Sequence, residues 1–179
     1  MDPTTIPKYV TPLAMPTVMP KTGTVGGNKI DYYEIAVRQF QQQVLPAGMP
    51  TTKVWGYGLA SDPATFRFPS ATIEAQADRP VRVKWINDLK ATNGNFLPHF
   101  LPVDQTLHWA NPPQDCIEGP SKTDCRGRSQ AFYTGPVPII THLHGAHVTP
   151  ESDGYPEAWY LPNANNIPAG YGTQGSNFG

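Results

Sequence analysis

The stretch SATIEAQADRPVRVKWINDL, from Ser70 to Leu89, constrains the fold of this chain more than any other. Polar and apolar side chains alternate in it twice, over residues 72–76 and again over residues 81–85. A period of two is that of a β-strand, whose successive side chains point to opposite faces of a sheet. The Ala-Asp-Arg-Pro segment between the two runs indicates a turn. The stretch therefore predicts two strands that pair as a hairpin or within a β-sandwich.

Three other stretches carry strand signals. KIDYYEIAVRQFQQQVL is rich in β-branched and aromatic residues and predicts a strand over Asp31–Gln42. TTKVWGYGLA predicts a second, shorter strand that ends at Gly56 and Gly58. VPIITHLHG contains an apolar, β-branched run over residues 137–141, which predicts an extended segment leading directly into a group of histidines.

The rest of the chain is rich in turn residues. The 21 prolines and 16 glycines form about a fifth of the sequence without a period, which excludes a helical bundle and collagen. Residues 1–28 contain five prolines and predict an irregular arm, and the segment after Trp159 predicts an exposed loop. Short strands, many turns and no helical period together predict an all-β chain, an antiparallel sandwich or barrel.

Charge and hydropathy exclude some partners. The formal net charge is −1 and no basic stripe is present, so nucleic acid and anionic membrane surfaces are poor candidates. No apolar run approaches the length that crosses a bilayer. The N-terminus has prolines where a signal peptide has its apolar core, so no signal peptide is visible.

The two cysteines, Cys116 and Cys125, are separated by eight residues within a long turn-rich segment. They are either free thiols in a surface loop or a local disulfide across the Gly-Pro segment between them. A metal pair is disfavoured, because no histidine or third cysteine stands beside them at ligand spacing.

Three of the five histidines, His142, His144 and His147, fall within six residues. In an extended segment His142 and His144 share one face, with Cα atoms about 6.6 Å apart, and Leu143 points the other way into a core. Neutral imidazoles bind copper, zinc, iron or nickel, but two are too few for a closed site. Spacing alone leaves open one metal, two neighbouring metals, or two polar side chains on a solvated face.

The remaining histidines and the rival folds carry weaker signals. His147 lies beyond Gly145 and outside the alternating register, so it is predicted to be a bystander, and packing or solvent contact is the better interpretation of His99 and His108. A cupin requires a glutamate a few residues after its histidine pair, but the first acid after His144 is Glu151. No nucleophile elbow and no phosphate-binding glycine loop is present.

HLHGAHVTPESDGYPEAW, residues 142–159, resembles the first copper-binding motif of multicopper oxidases, in the branch of bacterial spore-coat laccases and bilirubin oxidases. VWGYG, TIEAQADRPVRVKWINDL and HFLPVDQTLHWA resemble the first domain of the same branch, in the same order. The likeness covers roughly residues 29–175. It implies a cupredoxin-like Greek-key β-sandwich over residues 29–179, incomplete in this chain, after the arm at 1–28.

The resemblance also implies roles for three residues. His142 and His144 correspond, in that order, to a ligand of the type 2 copper and a ligand of the type 3 copper pair. Asp153 corresponds to an acid near the trinuclear cluster that assists proton delivery to dioxygen; it is also a turn residue in Ser-Asp-Gly, and both roles are compatible. Trp159 and Tyr155 are assigned to packing around the site.

Several copper-binding motifs of the family are absent from this sequence, and their absence leads us to expect a partner. The second His-x-His pair and the motifs that hold the type 1 copper do not occur in these 179 residues, and neither cysteine stands in a His-Cys-His setting. FPSAT replaces the usual F-P-G-P-T, and GAHVTP is one residue longer than the spore-coat form. We therefore expect a companion polypeptide with the remaining cupredoxin domains and copper ligands.

With that companion, the resemblance implies one-electron oxidation of phenols, aromatic amines, bilirubin-like pigments or metal ions and reduction of dioxygen to water. It also implies a protein that is secreted, periplasmic, or on the spore or cell surface. The alternative is a copper-binding or structural cupredoxin module without turnover.

Overall fold

The computed structural model describes residues 2–104, 109–110, 124–125, 131–169, 171–175 and 177–178, with the backbone alone at 109–110 and 124–125. The structure does not describe His108, Cys116 or most of the long loop around them. The alternative of a disulfide between Cys116 and Cys125 therefore lies outside the described residues. The chain divides into two compact units, Met1–Ile86 and Asn87–Gly179.

The first unit is built on one four-stranded sheet around a long central strand. Its strands are β1 (Gly23–Val25), β2 (Ile30–Gln42), β3 (Thr52–Leu59) and β4 (Val81–Asn87). β1 and β3 pair antiparallel with the two ends of β2, and β4 also pairs with β2. The predicted strands at 31–42 and 52–58 are confirmed, and β1 lies within the segment predicted to be an irregular arm.

Only the second half of the predicted hairpin forms. The turn is present at residues 77–78, where Asp78 has a φ of 63°, and β4 follows it. Residues 73–76 form no strand, however, because the backbone of Thr72 bonds to the N-terminal segment: its N–H donates to the Thr17 oxygen and its oxygen accepts from the Met19 N–H, both at 2.8 Å. Alternation correctly indicated a half-buried segment but not its partner.

The core of this unit lies on one face of the sheet. Met19, Tyr33, Ile35 and Leu59 are buried there, and Ile73 packs against them. β3 has no room for a side chain at two positions. A Cβ at Gly56 would lie 2.4 Å from the Arg67 oxygen, and one at Gly58 would lie 2.6 Å from the Phe66 ring. The two glycines that ended the predicted strand therefore let the chain cross close above it.

A buried carboxylate joins three segments of the first unit. Asp31, 1% exposed, sits on β2, and its carboxylate binds Lys21 Nζ at 2.6 Å and the Arg79 guanidinium at 2.7 Å. Lys21 precedes β1 and Arg79 precedes β4, so the group fixes both approaches to the sheet. The hydrogen bond from Lys21, with that from Arg79, holds the pKa of Asp31 below its ordinary value, against the opposing effect of burial.

In the described part of the second unit there is little regular structure. It consists of a two-residue antiparallel pair, β5 (Trp109–Ala110) with β6 (Asp124–Cys125), and a short helix, α1 (Pro150–Asp153). Large apolar residues buried there include Leu89, Tyr133, Val137, Trp159 and Leu161.

The prediction that the segment after Trp159 is an exposed loop is wrong for part of it. The Leu161 N–H donates to the Thr173 oxygen at 2.9 Å, the Gly175 N–H donates to the Trp159 oxygen at 2.8 Å, and Leu161 and Gly175 are buried. The segment therefore folds back on itself as a broad hairpin. At Gly175 the chain passes directly over the Glu157 backbone oxygen, where a Cβ would clash, so this close approach requires glycine.

The all-β, cupredoxin-like class is confirmed, since strands dominate and the longest helix among the described residues has four residues. The described sheet is open. No helix in the described ranges is long and apolar enough to cross a membrane. The domain boundary at residue 29 and completion of the sandwich by a second polypeptide stay predictions.

The carboxylate of Asp31 makes the acid stability of the chain testable. Because the pKa of Asp31 is lower in the folded than in the unfolded chain, its ionised form stabilises the fold. This stabilisation is fully present at pH values above the unfolded-state pKa of about 3.9 and is lost as pH falls through the folded-state pKa. Urea midpoints measured from pH 7 to pH 3 should therefore fall less steeply below pH 4 in Asp31→Asn than in the wild type. Asp31→Asn should also be less stable at pH 7, where Lys21 and Arg79 lose their charged partner. Glu74→Gln, at an exposed acid of the same unit, is the control, and identical acid slopes in wild type and Asp31→Asn would contradict the prediction.

Candidate functional site

The segment that carries the histidines is anchored by a buried asparagine. The Asn87 side chain, 5% exposed, donates from Nδ2 to the Val137 oxygen at 2.9 Å and to the Tyr160 oxygen at 3.0 Å. Ile139 and Tyr160 then exchange two backbone hydrogen bonds of 3.0 Å. The segment entering the histidines and the segment returning after α1 are thus held side by side.

Beyond Ile139 the expected extended strand does not continue. Residues 140–144 form no ladder, and Leu143 is 56% exposed, so the prediction that it points into a core is wrong within this chain. The physical reason is the available partner: the Leu143 N–H donates to the Ser152 oxygen of α1 at 2.8 Å, whereas Tyr160 pairs with Ile139 and, on its other side, with Gln174. The histidines therefore sit on a loop that is closed against α1.

This loop nevertheless brings His142 and His144 together. Nε2 of His142 lies 3.4 Å from Nδ1 of His144, and the ring centroids are 5.6 Å apart at an interplanar angle of 61°. Nδ1 of His142 lies 3.1 Å from the Ile140 oxygen, which can only accept, so Nδ1 carries the proton. The lone pair of the neutral ring is then on Nε2, the atom that faces His144. Both imidazoles are exposed.

Asp153 closes the same loop from the other side. It is the last residue of α1, and its Oδ1 accepts a hydrogen bond from the Gly145 N–H at 3.3 Å. In the preceding turn, the Thr149 hydroxyl bonds to Glu151 and lowers the pKa of that carboxyl. Asp153, predicted as a turn residue in Ser-Asp-Gly, is therefore helical, and the chain leaves the helix at Gly154, whose φ is 100°.

The other predicted residues are exposed, half-buried or packed against aromatic or apolar neighbours. His147 is exposed, and His99 lies against the Tyr133 ring with centroids 5.7 Å apart, where burial lowers its pKa. Trp159 is 1% exposed and Tyr155 is half-buried. Sequence reasoning missed Asn87, because an asparagine at the end of an alternating run carries no signal of what it will bind.

The arrangement fits part of a copper site. Imidazole nitrogen is a preferred ligand of copper, and the Nε2 lone pair of His142 is available in the tautomer that the Ile140 oxygen selects. In the part of the chain that the structure describes, no group of three or more His, Cys, Asp or Glu side chains is arranged to hold a metal. Fold and loop together define a cupredoxin-like β protein that presents two adjacent imidazole donors.

Comparison with known proteins identifies the family. No family model matches the chain. It is 32% identical over 157 residues to a laccase of Bacillus subtilis (strain 168), a match that covers 87% of this chain and 24% of the laccase. It is 35% identical over 161 residues to a laccase of Haloferax volcanii, covering 88% of this chain and 23% of that laccase. It is 33% identical over 133 residues to multicopper oxidase LPR1 homolog 3 of Oryza sativa subsp. japonica, covering 74% of this chain and 19% of that protein. The chain therefore belongs to the multicopper oxidase family, as its N-terminal cupredoxin-like region, and spans about a quarter of the length of the laccases it matches.

The anchoring role of Asn87 predicts a measurable loss of stability. Asn87→Leu takes the amide partner from the Val137 oxygen and from the Leu89 N–H, while the Tyr160 oxygen keeps its bond from the Ile139 N–H. Each buried polar group left without a partner costs about 1–3 kcal/mol. We expect the free energy of unfolding to fall by about 2–4 kcal/mol in urea titrations. Asn163→Leu, at an exposed position of the same unit, should change it by no more than about 0.5 kcal/mol. Equal, small effects of the two substitutions would contradict the anchoring role.

Proposed function

We propose that this chain is part of a laccase-like multicopper oxidase and supplies two histidine ligands of its oxygen-reducing copper cluster. The observation that carries the proposal is the 3.4 Å approach of His142 Nε2 and His144 Nδ1, in a chain 32–35% identical to laccases over most of its length. The substrates we propose are those of the sequence expectation: phenols, aromatic amines, bilirubin-like pigments or metal ions.

Each histidine has its own part in the proposal. His142 serves the type 2 copper through Nε2, and His144 serves one copper of the type 3 pair. Bound copper supplies the one-electron redox chemistry that links oxidation of the substrate to reduction of dioxygen to water. The Ile140 oxygen holds the proton on Nδ1 of His142, so this ring needs no change of tautomer to bind metal.

The other ligands of the proposed site come from further polypeptide. Two imidazoles do not complete a copper cluster, and the matched laccases are about four times as long as the matched region. We propose that the remaining cupredoxin domains, the type 1 copper and the other His-x-His pairs lie on a companion chain or in further sequence of the same protein. Purifying the native complex, identifying its chains by mass spectrometry and counting copper per complex distinguishes these arrangements.

Asp153 is proposed to move protons toward the site where dioxygen is reduced. Reduction of dioxygen to water consumes protons, and a carboxylate can take up and release them. In the structure the same carboxylate accepts the Gly145 N–H, so it also fixes the loop next to His144. The two roles are separable, because an amide oxygen keeps the hydrogen bond but cannot exchange a proton.

Replacing either histidine tests the ligand assignment. In the assembled oxidase, His142→Ala or His144→Ala should lower the copper content per complex and reduce the rate of oxygen consumption by more than about 100-fold, beyond the 10–100-fold typical of residues behind a metal ligand. The blue absorption of type 1 copper should remain. His147→Ala is the matched control, since His147 is an exposed histidine of the same loop. Full turnover in His142→Ala would refute the assignment. A native complex that holds copper but consumes no oxygen would favour the non-catalytic module.

Two replacements of Asp153 separate proton transfer from loop support. Asp153→Asn should retain copper and lower the rate of oxygen reduction by about 100- to 10,000-fold, the usual contribution of a proton-transfer group. Asp153→Ala should in addition loosen the loop and lower the copper content, because the Gly145 N–H loses its acceptor. If Asp153→Asn is fully active while Asp153→Ala is not, the carboxylate serves the loop alone.

A further inference from the structure

We propose that Gly154 is a positioning residue for His142. Because residue 154 has no side chain, the imidazole of His142 can occupy the position seen in the structure. The inference deepens the proposed function and rests on it, because it concerns the placement of a proposed copper ligand.

The observation is a close approach of backbone to ring. A Cβ built on Gly154 would lie 2.9 Å from both Cβ and Cγ of His142 and 3.3 Å from its Cδ2. Real Cβ atoms essentially never come within 3.0 Å of another heavy atom in this way. The backbone at Gly154 also has a φ of 100°, in the region that side chains disfavour. Two independent features therefore require glycine here.

The ring cannot simply withdraw from an added methyl group. Nδ1 of His142 is bonded to the Ile140 oxygen, and Nε2 faces His144. Behind the ring, the Leu143 N–H is bonded to the Ser152 oxygen at 2.8 Å, which fixes the distance between the loop and the end of α1. A methyl group at residue 154 must therefore break one of these contacts or rotate the imidazole.

Either response displaces Nε2, the atom proposed to bind copper. A metal site tolerates displacement of a ligand atom by only about 0.5 Å. A larger displacement of Nε2 should therefore weaken copper binding there, although His142 is still present. Groups that orient a metal ligand typically contribute 10–100-fold in metal affinity. The inference therefore predicts selective weakening at the His142 copper.

The test is Gly154→Ala in the assembled oxidase, with copper content and the electron paramagnetic resonance signal of type 2 copper as readouts. We expect about a 10–100-fold weaker affinity for that copper and a changed or lost type 2 signal, with type 1 absorption retained. Gly27→Ala and Gly48→Ala are matched controls, since these glycines have φ of 66° and 89° but a Cβ at either would meet nothing within 4 Å. Normal copper binding in Gly154→Ala, or an equal copper loss in Gly48→Ala, would overturn the inference.

A double-mutant cycle covers the case in which Gly154→Ala does not fold. His142→Gly removes the atoms that the new methyl group would meet, so Gly154→Ala should cost less stability in the His142→Gly background than in the wild type. Additive losses, or failure to fold in both backgrounds, would show that residue 154 needs glycine for its backbone alone. His142→Ala separates the two proposals: if it keeps its type 2 copper, the proposed function fails, and if it loses this copper while Gly154→Ala keeps it, only the positioning role fails.

Discussion

The carboxamide of Asn87 is the interaction on which the candidate site depends. One side chain donates to a carbonyl before the histidines and to a carbonyl after α1, and its own oxygen accepts from the Leu89 N–H at 3.3 Å. In the described part of the second unit, strand pairing is limited to β5–β6 and isolated bridges, so these bonds hold segments together as strand pairing does in a sheet. A buried amide with each group satisfied specifies one arrangement of the segments it joins.

From that anchor, the geometry of the loop follows step by step. The Ile139–Tyr160 bridge sets the two segments in register, and the Leu143–Ser152 bond closes the loop on α1. Asp153 then bonds to the loop at Gly145, and Gly154 lies against His142. The result is an imidazole whose tautomer is selected by a backbone oxygen and whose position is limited by a backbone glycine. Residues without redox chemistry thus determine how the proposed ligands stand, as the groups behind metal ligands do generally.

Periodicity and composition predicted the parts of the fold that depend on local pattern. β2 and β3 were found because their side chains suit a half-buried, pleated surface, and the turn before β4 was found because Asp78 tolerates its backbone conformation. The first half of the hairpin was not found correctly, because alternation reports burial and leaves the pairing partner to long-range contacts. The folding back of the segment after Trp159 was missed for the same reason.

The site divides in a similar way. The motif in the sequence predicted that His142 and His144 lie together, and they do, although the extended strand from which that proximity was argued is absent. The sequence could not identify Asn87 and Gly154 as supporting residues. Asn87 bonds to carbonyls about 50 and 73 residues away, and Gly154 matters because it leaves room for the ring of His142. Local pattern therefore reveals the donors of such a site, but the groups that orient them emerge only once distant segments are placed side by side. Both donors are exposed, and the matched region is about a quarter of the length of its laccase relative, so further polypeptide could reach them, as the proposal requires.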